Sequence, residues 1–326
     1  MRVPYQELYD ALARALARTG IDTDRGGLCA RIVADSSRDG VASHGLNLFP
    51  RLITMIRAGV VDVQAQPVRV SAHGALERWD GRRGIGVLNA HACMGAAIAL
   101  AHAHGMGCVA LANTNHWMRG ATYGWQAAEA GVIGICWTNT LPNLPAWGAA
   151  TPRLGNNPLV IAVPRGRNAG AHVVLDMAMS QFSYGALASY RMRGESLPVP
   201  GGFGSTGELT SDPAAIEASK RPLPIGFWKG SGLSLMLDMM AALLSGGRAT
   251  HEIPPHPEQE TGLSQVFIAA DIAHLEAPGA SSGIVDAILQ DLQARYPGER
   301  TLETRRQNME QGVPVEPSIF ELVCGL

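Results

Sequence analysis

A dense group of polar side chains occupies residues 113–120, where the chain reads Asn-Thr-Asn-His-Trp-Met-Arg-Gly. The apolar run at residues 107–112, directly before it, predicts a short buried strand that ends at this group. Ligands bind at the carboxyl ends of strands in open α/β sheets, and the imidazole of His116 can exchange protons near neutral pH. We therefore interpret residues 113–120 as part of an active site, although asparagine and threonine are also common in ordinary turns.

Three other segments carry groups that could take part in catalysis or bind a phosphate. Residues 41–45 (Val-Ala-Ser-His-Gly) follow a predicted helix and place a second imidazole, that of His44, beside Ser43. Asp176 stands at the end of a predicted strand, and residues 227–232 lead into a helix whose amino-terminal amides and lysine suit a phosphate. The structural alternatives are a helix cap with a structural histidine, a solvated or capping carboxylate, and an ordinary helix start. Taken singly, none of these segments establishes a site.

Several familiar motifs are excluded by their context. Residues 202–207 match the Gly-x-Gly-x-x-Gly spacing of dinucleotide-binding loops, but that loop works only between a strand and a helix whose amino terminus meets the pyrophosphate. The flanking residues 197–201 and 209–213 predict neither element, so any nucleotide site here is not of the Rossmann type. Residues 251–256 lack the His-Glu-x-x-His spacing of zinc peptidases, and no Gly-x-Ser-x-Gly elbow occurs. Metal catalysis therefore has no support in the sequence.

Hydrophobic periodicity predicts an α/β chain that opens with a layer of helices. A strand at residues 108–112, a helix at 122–130 and a strand at 132–137 form a βαβ unit, which predicts parallel strands. Residues 193–224 are rich in glycine, proline, serine and aspartate, which indicates a long functional excursion. The other predicted elements are helices at residues 5–18, 24–36, 85–104, 180–191, 231–245 and 282–295, and strands at residues 159–164, 173–177 and 265–272.

Composition narrows the classes of partner. The chain has 326 residues, of which 46% are hydrophobic and 17% charged, and it can bury a core large enough for two lobes. A net charge of -2 with scattered basic residues argues against nucleic acid, and five widely spaced cysteines indicate reduced thiols. The amino terminus lacks the apolar core of a signal peptide, and residues 231–245, the most apolar predicted helix, are interrupted by Asp238. We expect a cytoplasmic protein without a membrane span.

Together, the polar segments resemble the malate and lactate dehydrogenase family of the second type, which is unrelated to the Rossmann lactate dehydrogenases. Tryptophan-rich strings at residues 116–120, 123–126, 134–137 and 228–232 narrow the resemblance towards enzymes of that family that reduce a sugar acid. The resemblance implies a mixed-sheet NAD-binding fold peculiar to the family, in the α/β class, with a helical second lobe. It also implies a homodimer that reduces a 2-keto acid. The matching blocks, in the family's order, are residues 43–45, 113–116, 138–139, 145–148, 157–158, 175–177 and 229–230.

The resemblance also assigns domains and roles to the chain. Residues 1–75, joined by 283–326, are expected to form the helical lobe, and residues 76–282 the cofactor-binding domain. Reduction of a ketone needs a proton donor for the oxygen, and His44 and His116 both qualify, with His44 ranked first by a narrow margin. The candidates for substrate binding are Ser43, Asn115, Arg119 and Arg51. The cofactor is expected to be NADH, with NADPH as the alternative, bound by His172, Val173, Val174, Leu175, Asp176, Met177, Ala178, Trp228, Lys229, Gly298, Glu299 and Arg300.

The chain departs from the family pattern at Leu48, where many relatives have an arginine suited to pair with the substrate carboxylate. Either Arg51 or Arg119 replaces that arginine, or the substrate differs. The region after Gln259 matches less well, and the chain is shortened before Tyr296, which affects the carboxy-terminal cofactor contacts. The alternatives within the family are malate, lactate and ureidoglycolate dehydrogenases. The alternative outside catalysis is a sugar-acid-binding homologue that has lost hydride transfer.

Overall fold

The computed structural model describes residues 1–165, 170–273 and 280–326, which form helices and strands in the following order. The helices are α1 (Tyr5–Ala17), α2 (Thr23–Arg38), α3 (Phe49–Arg57), α4 (Gly86–His104), α5 (Ala121–Glu129), α6 (Tyr184–Arg193), α7 (Pro213–Ser219), α8 (Trp228–Ser245), α9 (Ala280–Leu292), α10 (Glu299–Gln311) and α11 (Pro317–Gly325). The strands are β1 (Arg2–Val3), β2 (Val68–His73), β3 (Leu76–Asp80), β4 (Met106–Asn115), β5 (Ile133–Thr138), β6 (Leu144–Pro145), β7 (Pro152–Leu154), β8 (Leu159–Val163), β9 (Val173–Met177), β10 (Gly202–Phe203), β11 (Leu209–Thr210), β12 (Thr261–Ala270) and β13 (Val313–Pro314).

A mixed seven-stranded sheet with the order β2-β3-β4-β12-β5-β8-β9 forms the centre of the fold. Strands β4 and β5 run in the same direction, as the predicted βαβ unit requires, but they are not neighbours. Strand β12 lies between them and pairs antiparallel with both. Because β12 is buried along nearly its whole length and its second half, Val266–Ala270, is apolar, it suits a central position better than an edge. The sequence predicted this strand but not its position in the sheet.

Strand directions bring four carboxyl ends to one edge of the sheet, those of β3, β4, β5 and β9. Strand β8 is antiparallel to both β5 and β9, so β4, β5 and β9 all point the same way. Their carboxyl ends therefore meet at one edge, which is where ligands bind in open α/β sheets. Strand β4 continues to Asn115, three residues beyond the predicted end, so the first polar residues of the 113–120 group belong to the strand itself.

Helices cover both faces of the sheet, and a separate helical layer adjoins it. Helices α4 and α5 bury one face around Met94, Leu111 and Phe267, while α8 covers the other face around Leu237 and Val266. In the helical layer, α1 and α2 pack together with α3 and α11 around an apolar core, and α10 lies against α2. The small strands β1 and β13 tie the amino terminus to this layer.

Individual helices and motifs agree with the sequence-based predictions to different degrees. Helix α6 begins at Tyr184 rather than at residue 180, because the side chain of Ser183 accepts a hydrogen bond from the backbone N–H of Ala186 and caps it. The misleading glycine motif forms a hairpin between β10 and β11, which confirms that it does not open a helix. In the described part of the chain, α4 is long and apolar enough to span a membrane by length and composition, whereas from the sequence we considered only residues 231–245 and excluded them. Helix α4 packs on the sheet as a core helix.

Candidate active site

A cavity of about 410 Å³ lies at the edge of the sheet where β4, β5 and β9 end. The short turn after α2 forms one wall, and the segment that enters α10 closes another. This volume falls within the range of about 300–1,000 Å³ that is usual for small-molecule sites. The structure brings nine of the predicted site residues to its lining: Ser43, His44, His116, Arg119, Val174, Leu175, Asp176, Ala178 and Gly298.

The two predicted catalytic histidines face each other across this cavity. His44 lies in the turn Ala42–His44 after α2, and His116 follows the end of β4. Their rings are stacked, with 6.1 Å between the centroids and 21° between the planes. A substrate carbonyl in the cavity could therefore be approached by both imidazoles, so their protonation states decide which can act as an acid.

His44 belongs to a group with one hydroxyl and one carboxylate. The Oγ of Ser43 lies 3.0 Å from Nδ1 of His44, and Asp176, at the carboxyl end of β9, faces the same space. Burial lowers the pKa of His44; the Asp176 carboxylate opposes that shift and the Arg119 guanidinium adds to it. Burial also raises the pKa of Asp176, against the effects of a backbone N–H and of Arg119 and His44. Both shifts have the same cause, since burial disfavours the charged form of each group.

Asp176 is fixed by the start of α5. Its Oδ2 accepts a hydrogen bond of 2.8 Å from the backbone N–H of Ala121. Solvent reaches this carboxylate through the cavity, although the surrounding protein encloses it closely enough to raise its pKa. A ligand that displaced the cavity water would strengthen the electrostatic interaction of Asp176 with His44.

His116 is held in a defined neutral form. Its Nδ1 accepts a hydrogen bond of 3.1 Å from the backbone N–H of Met118, so the ring proton of the neutral form lies on Nε2. Met118 takes a left-handed backbone conformation with φ of 62° to make this contact. Burial lowers the pKa of His116 to about 4; Glu260 opposes this shift, and His44 and Arg51 add to it. At neutral pH, His116 is therefore an uncharged hydrogen-bond donor.

Arg119 supplies a positive charge to the cavity. Its side chain is only 5% exposed, and its Nη1 donates a hydrogen bond of 2.7 Å to Asp39. The guanidinium lowers the pKa values of both His44 and Asp176, so it lies close to the reacting groups. A planar guanidinium in this position suits a substrate carboxylate.

Arg51 and Asn115 do not reach this cavity. The Nη2 of Arg51 donates to the Pro257 carbonyl and, at 2.8 Å, to Glu260. The side-chain amide of Asn115 donates to the carbonyls of residues 83 and 84, at 2.7 and 2.8 Å. Both residues line a small pocket on the other side of His116, together with Leu48. Of the two arginines proposed from the sequence to replace the missing one, the structure therefore brings Arg119 to the cavity.

Comparison with known proteins identifies the family. The family model for malate/L-lactate dehydrogenase matches residues 3–323. The chain belongs to this family. It is 43% identical over 336 aligned positions to the 2,3-diketo-L-gulonate reductase of Shigella boydii, with all of both chains covered. A protein of the same name from Citrobacter koseri is 41% identical, also over the full length of both chains.

Solved structures show the same fold. A solved structure described as a putative malate/lactate dehydrogenase from E. coli superposes with a TM-score of 0.92 at 24% identity, covering 100% of this chain and 94% of that one. The protein is thus an oxidoreductase of the malate/L-lactate dehydrogenase family, which confirms the resemblance drawn from the sequence. Membership implies a nicotinamide cofactor, and the mixed sheet is the family's own.

The residues that the family resemblance assigns to the cofactor are divided by the structure. Val174, Leu175, Asp176, Ala178 and Gly298 line the cavity, as stated above. The remaining residues of that set lie outside its lining. They are His172, Val173 and Met177 in or beside β9, Trp228 and Lys229 at the exposed start of α8, and Glu299 and Arg300 at the start of α10. His172 accepts a hydrogen bond from the Arg165 backbone N–H and packs near Trp125.

Gly298 lies in the part of the cavity wall where β9 meets the entry to α10, a candidate surface for the cofactor. Its φ of 98° favours glycine, and a Cβ there would lie 3.2 Å from the backbone nitrogen of Val174. Gly298 therefore lets the entry to α10 pack closely against β9 in the cavity wall. That wall carries both apolar and polar groups, Val174, Leu175 and Asp176 among them, which suits a nucleotide cofactor.

Sequence reasoning missed several lining residues. Thr140 and Asn156 face the cavity and are joined by a hydrogen bond of 3.1 Å. Each lies within two residues of a block that the family resemblance had matched, which is a signal that could have identified them. Trp125, Pro297 and Thr301 also line the cavity. Trp125 belongs to the matched string at residues 123–126, and Pro297 precedes Gly298, which the resemblance assigns to the cofactor.

Proposed function

We propose that this protein is an NADH-dependent reductase of a sugar-derived 2-keto acid, and that its reaction converts 2,3-diketo-L-gulonate to 3-keto-L-gulonate. The full-length identity of 41–43% to reductases of that name supports the substrate. The observation that carries the proposal is that His44, His116, Asp176 and Arg119 line one cavity, in which the two imidazole rings are stacked. A 2-keto acid needs a proton source, a partner for its carboxylate and a donor for its carbonyl, and these four residues could provide all three.

When bound, the nicotinamide supplies the hydride that adds to the carbonyl carbon. His44 then gives a proton to the carbonyl oxygen, because the Asp176 carboxylate favours its protonated form and its Nδ1 lies 3.0 Å from the Ser43 hydroxyl. We thus keep His44 first among the two candidates. Asp176, which the resemblance assigns to the cofactor, instead favours the protonated form of His44 through its charge.

His116 and Arg119 bind the keto acid without changing their charge. The Nε2–H of neutral His116 donates a hydrogen bond to the carbonyl oxygen, which strengthens as negative charge develops there. Arg119 pairs with the carboxylate and replaces the arginine that relatives have at the position of Leu48. In this arrangement the substrate carboxylate lies beside the Arg119 guanidinium, and the substrate carbonyl lies between the two imidazoles.

The experiment that tests the proposal has two stages. Titration of protein fluorescence with NADH and with NADPH measures binding of each cofactor. Loss of the nicotinamide absorbance band on addition of keto acids then measures turnover. The panel contains 2,3-diketo-L-gulonate, pyruvate, oxaloacetate and the keto acid of ureidoglycolate. Fastest turnover of 2,3-diketo-L-gulonate with NADH supports the proposal. NADH binding without oxidation across the whole panel would favour a binding protein instead.

We further propose that the enzyme is a cytoplasmic homodimer whose interface includes α8. One side of this helix exposes large apolar side chains to solvent, among them Trp228 (65% exposed) and Leu243 (75% exposed). Contiguous apolar patches of this kind mark contact surfaces, and a second copy of the same helix is apolar in the same way. The five cysteines are free thiols, which suits a reducing compartment. Analytical ultracentrifugation of wild type and Leu243→Glu tests the dimer, and the variant should be monomeric.

A further inference from the structure

The cavity arginine is anchored by a carboxylate that the reaction itself does not use. Asp39 ends α2, and its side chain is 2% exposed. Its Oδ2 accepts the Nη1–H of Arg119 at 2.7 Å. The same carboxylate accepts two hydrogen bonds from Arg305 in α10, at 2.9 and 2.7 Å, and one from Arg38 at 2.9 Å. One buried negative charge thus holds three guanidinium groups from three parts of the chain.

Arg305 links this cluster to another wall of the cavity. Its guanidinium lies over the ring of Trp125, 4.9 Å from the ring centroid, and Trp125 lines the cavity. Arg305 lies one turn beyond Thr301, which also lines the cavity near the start of α10. A shift of α10 would therefore move Arg305, and through Asp39 it would move Arg119.

We propose that Asp39 is a positioning residue for the reaction, which fixes Arg119 in the cavity and ties it to helix α10 through Arg305. This inference rests on the proposed function, because it takes Arg119 as the partner of the substrate carboxylate. An arginine has several rotatable bonds, and without an anchor it would lose conformational freedom on binding the substrate. The fixed guanidinium is already oriented, so Asp39 improves substrate affinity without touching the substrate.

The test compares four variants with two forms of the substrate. Asp39→Asn removes the anchor, Arg305→Met removes the link to α10, and Arg119→Met removes the cavity charge. Asp35→Asn is the matched control, since Asp35 also accepts a hydrogen bond from Arg38 but has no contact with Arg119. Each variant is assayed with the keto acid that wild type reduces fastest and with its neutral methyl ester.

The expected result is a difference between KM and kcat. Asp39→Asn should raise KM for the acid about 10-fold while kcat stays within about 3-fold, because the misplaced group binds the carboxylate rather than the reacting carbonyl. KM for the ester should not change, since the ester offers Arg119 no charge. Arg305→Met should change KM in the same direction by a smaller factor, and Asp35→Asn should leave both constants as in wild type.

The outcomes separate this inference from the proposed function. If Arg119→Met leaves KM for the acid unchanged, the proposed role of Arg119 fails, and the role of Asp39 fails with it. If Arg119→Met raises KM but Asp39→Asn does not, Arg119 binds substrate without help from Asp39 and the inference alone is overturned. If Asp39→Asn does not fold, Arg305→Met tests the inference in its place. A higher KM for the acid but not for the ester would support the role of Asp39, and an unchanged KM for the acid would reject it.

Discussion

The different protonation of the two cavity histidines predicts different pH profiles for their variants. The pKa of His116 is about 4, so on the order of 0.1% of its rings carry a second proton at pH 7. Protonating His116 at pH 7 would cost about 4 kcal/mol, which is a large penalty for a general acid. Burial lowers the pKa of His44 as well, but the Asp176 carboxylate in the same cavity opposes that shift. We therefore propose His44 as the proton donor.

The sign of the pH dependence follows from this assignment. Reduction in the wild type requires the protonated form of His44, so kcat should be constant at low pH. It should fall tenfold per pH unit once the pH exceeds the apparent pKa of His44. His44→Asn should lower kcat by ~10²–10⁴ and remove this alkaline fall. His116→Asn should lower kcat by ~10²–10³, because it loses a donor to the developing oxyanion, and should keep the fall unchanged.

The assay is the loss of nicotinamide absorbance at saturating NADH and keto acid, measured between pH 5.5 and 9.5. Fluorescence titration with NADH is the control, since both variants should still bind the cofactor. The reasoning is refuted if His116→Asn removes the alkaline fall and His44→Asn keeps it, because the two roles would then be exchanged. If neither substitution slows reduction, proton transfer does not involve this cavity.

Three further predictions concern stability and cofactor binding. Asp39→Asn should lower the free energy of unfolding by about 2 kcal/mol at pH 7, and this difference from wild type should shrink as the pH falls from 4 towards 2. Urea titrations at several pH values measure it. The reason is that three arginines, against the effect of burial, lower the pKa of Asp39 to about 2. Gly298→Ala should cost about 1 kcal/mol of stability and weaken NADH binding in a fluorescence titration, because its φ of 98° disfavours a side chain. Asp22→Ala should lower stability by about 1 kcal/mol in thermal unfolding with kcat unchanged, because only the amino-terminal cap of α2 is lost.

Local patterns were enough to predict the elements that hold the histidines. The apolar spacing of residues 24–36 identified α2, which places the turn with His44, and the apolar run at residues 107–112 identified β4, which leads to His116. The order of the strands was not accessible in this way. Strand β12 enters between β4 and β5 from more than 100 residues away in sequence, and pairing across such a distance leaves no periodic trace in either partner.

The two candidate arginines show where sequence reasoning about the site stops. Arg51 and Arg119 both stand near a predicted catalytic histidine, and nothing in their neighbours along the chain distinguishes them. Their partners do: Arg51 is paired with Glu260, 209 residues away, and Arg119 with Asp39, 80 residues away. The first pair holds its arginine on the far side of His116, whereas the second leaves its arginine on the cavity wall. The position of a cation in this site is thus set by the anion that the fold brings to it. Substitutions at Glu260 and at Asp39 should therefore differ in their effect on substrate binding. Asp39→Asn should raise KM for the keto acid, whereas Glu260→Gln should leave it unchanged.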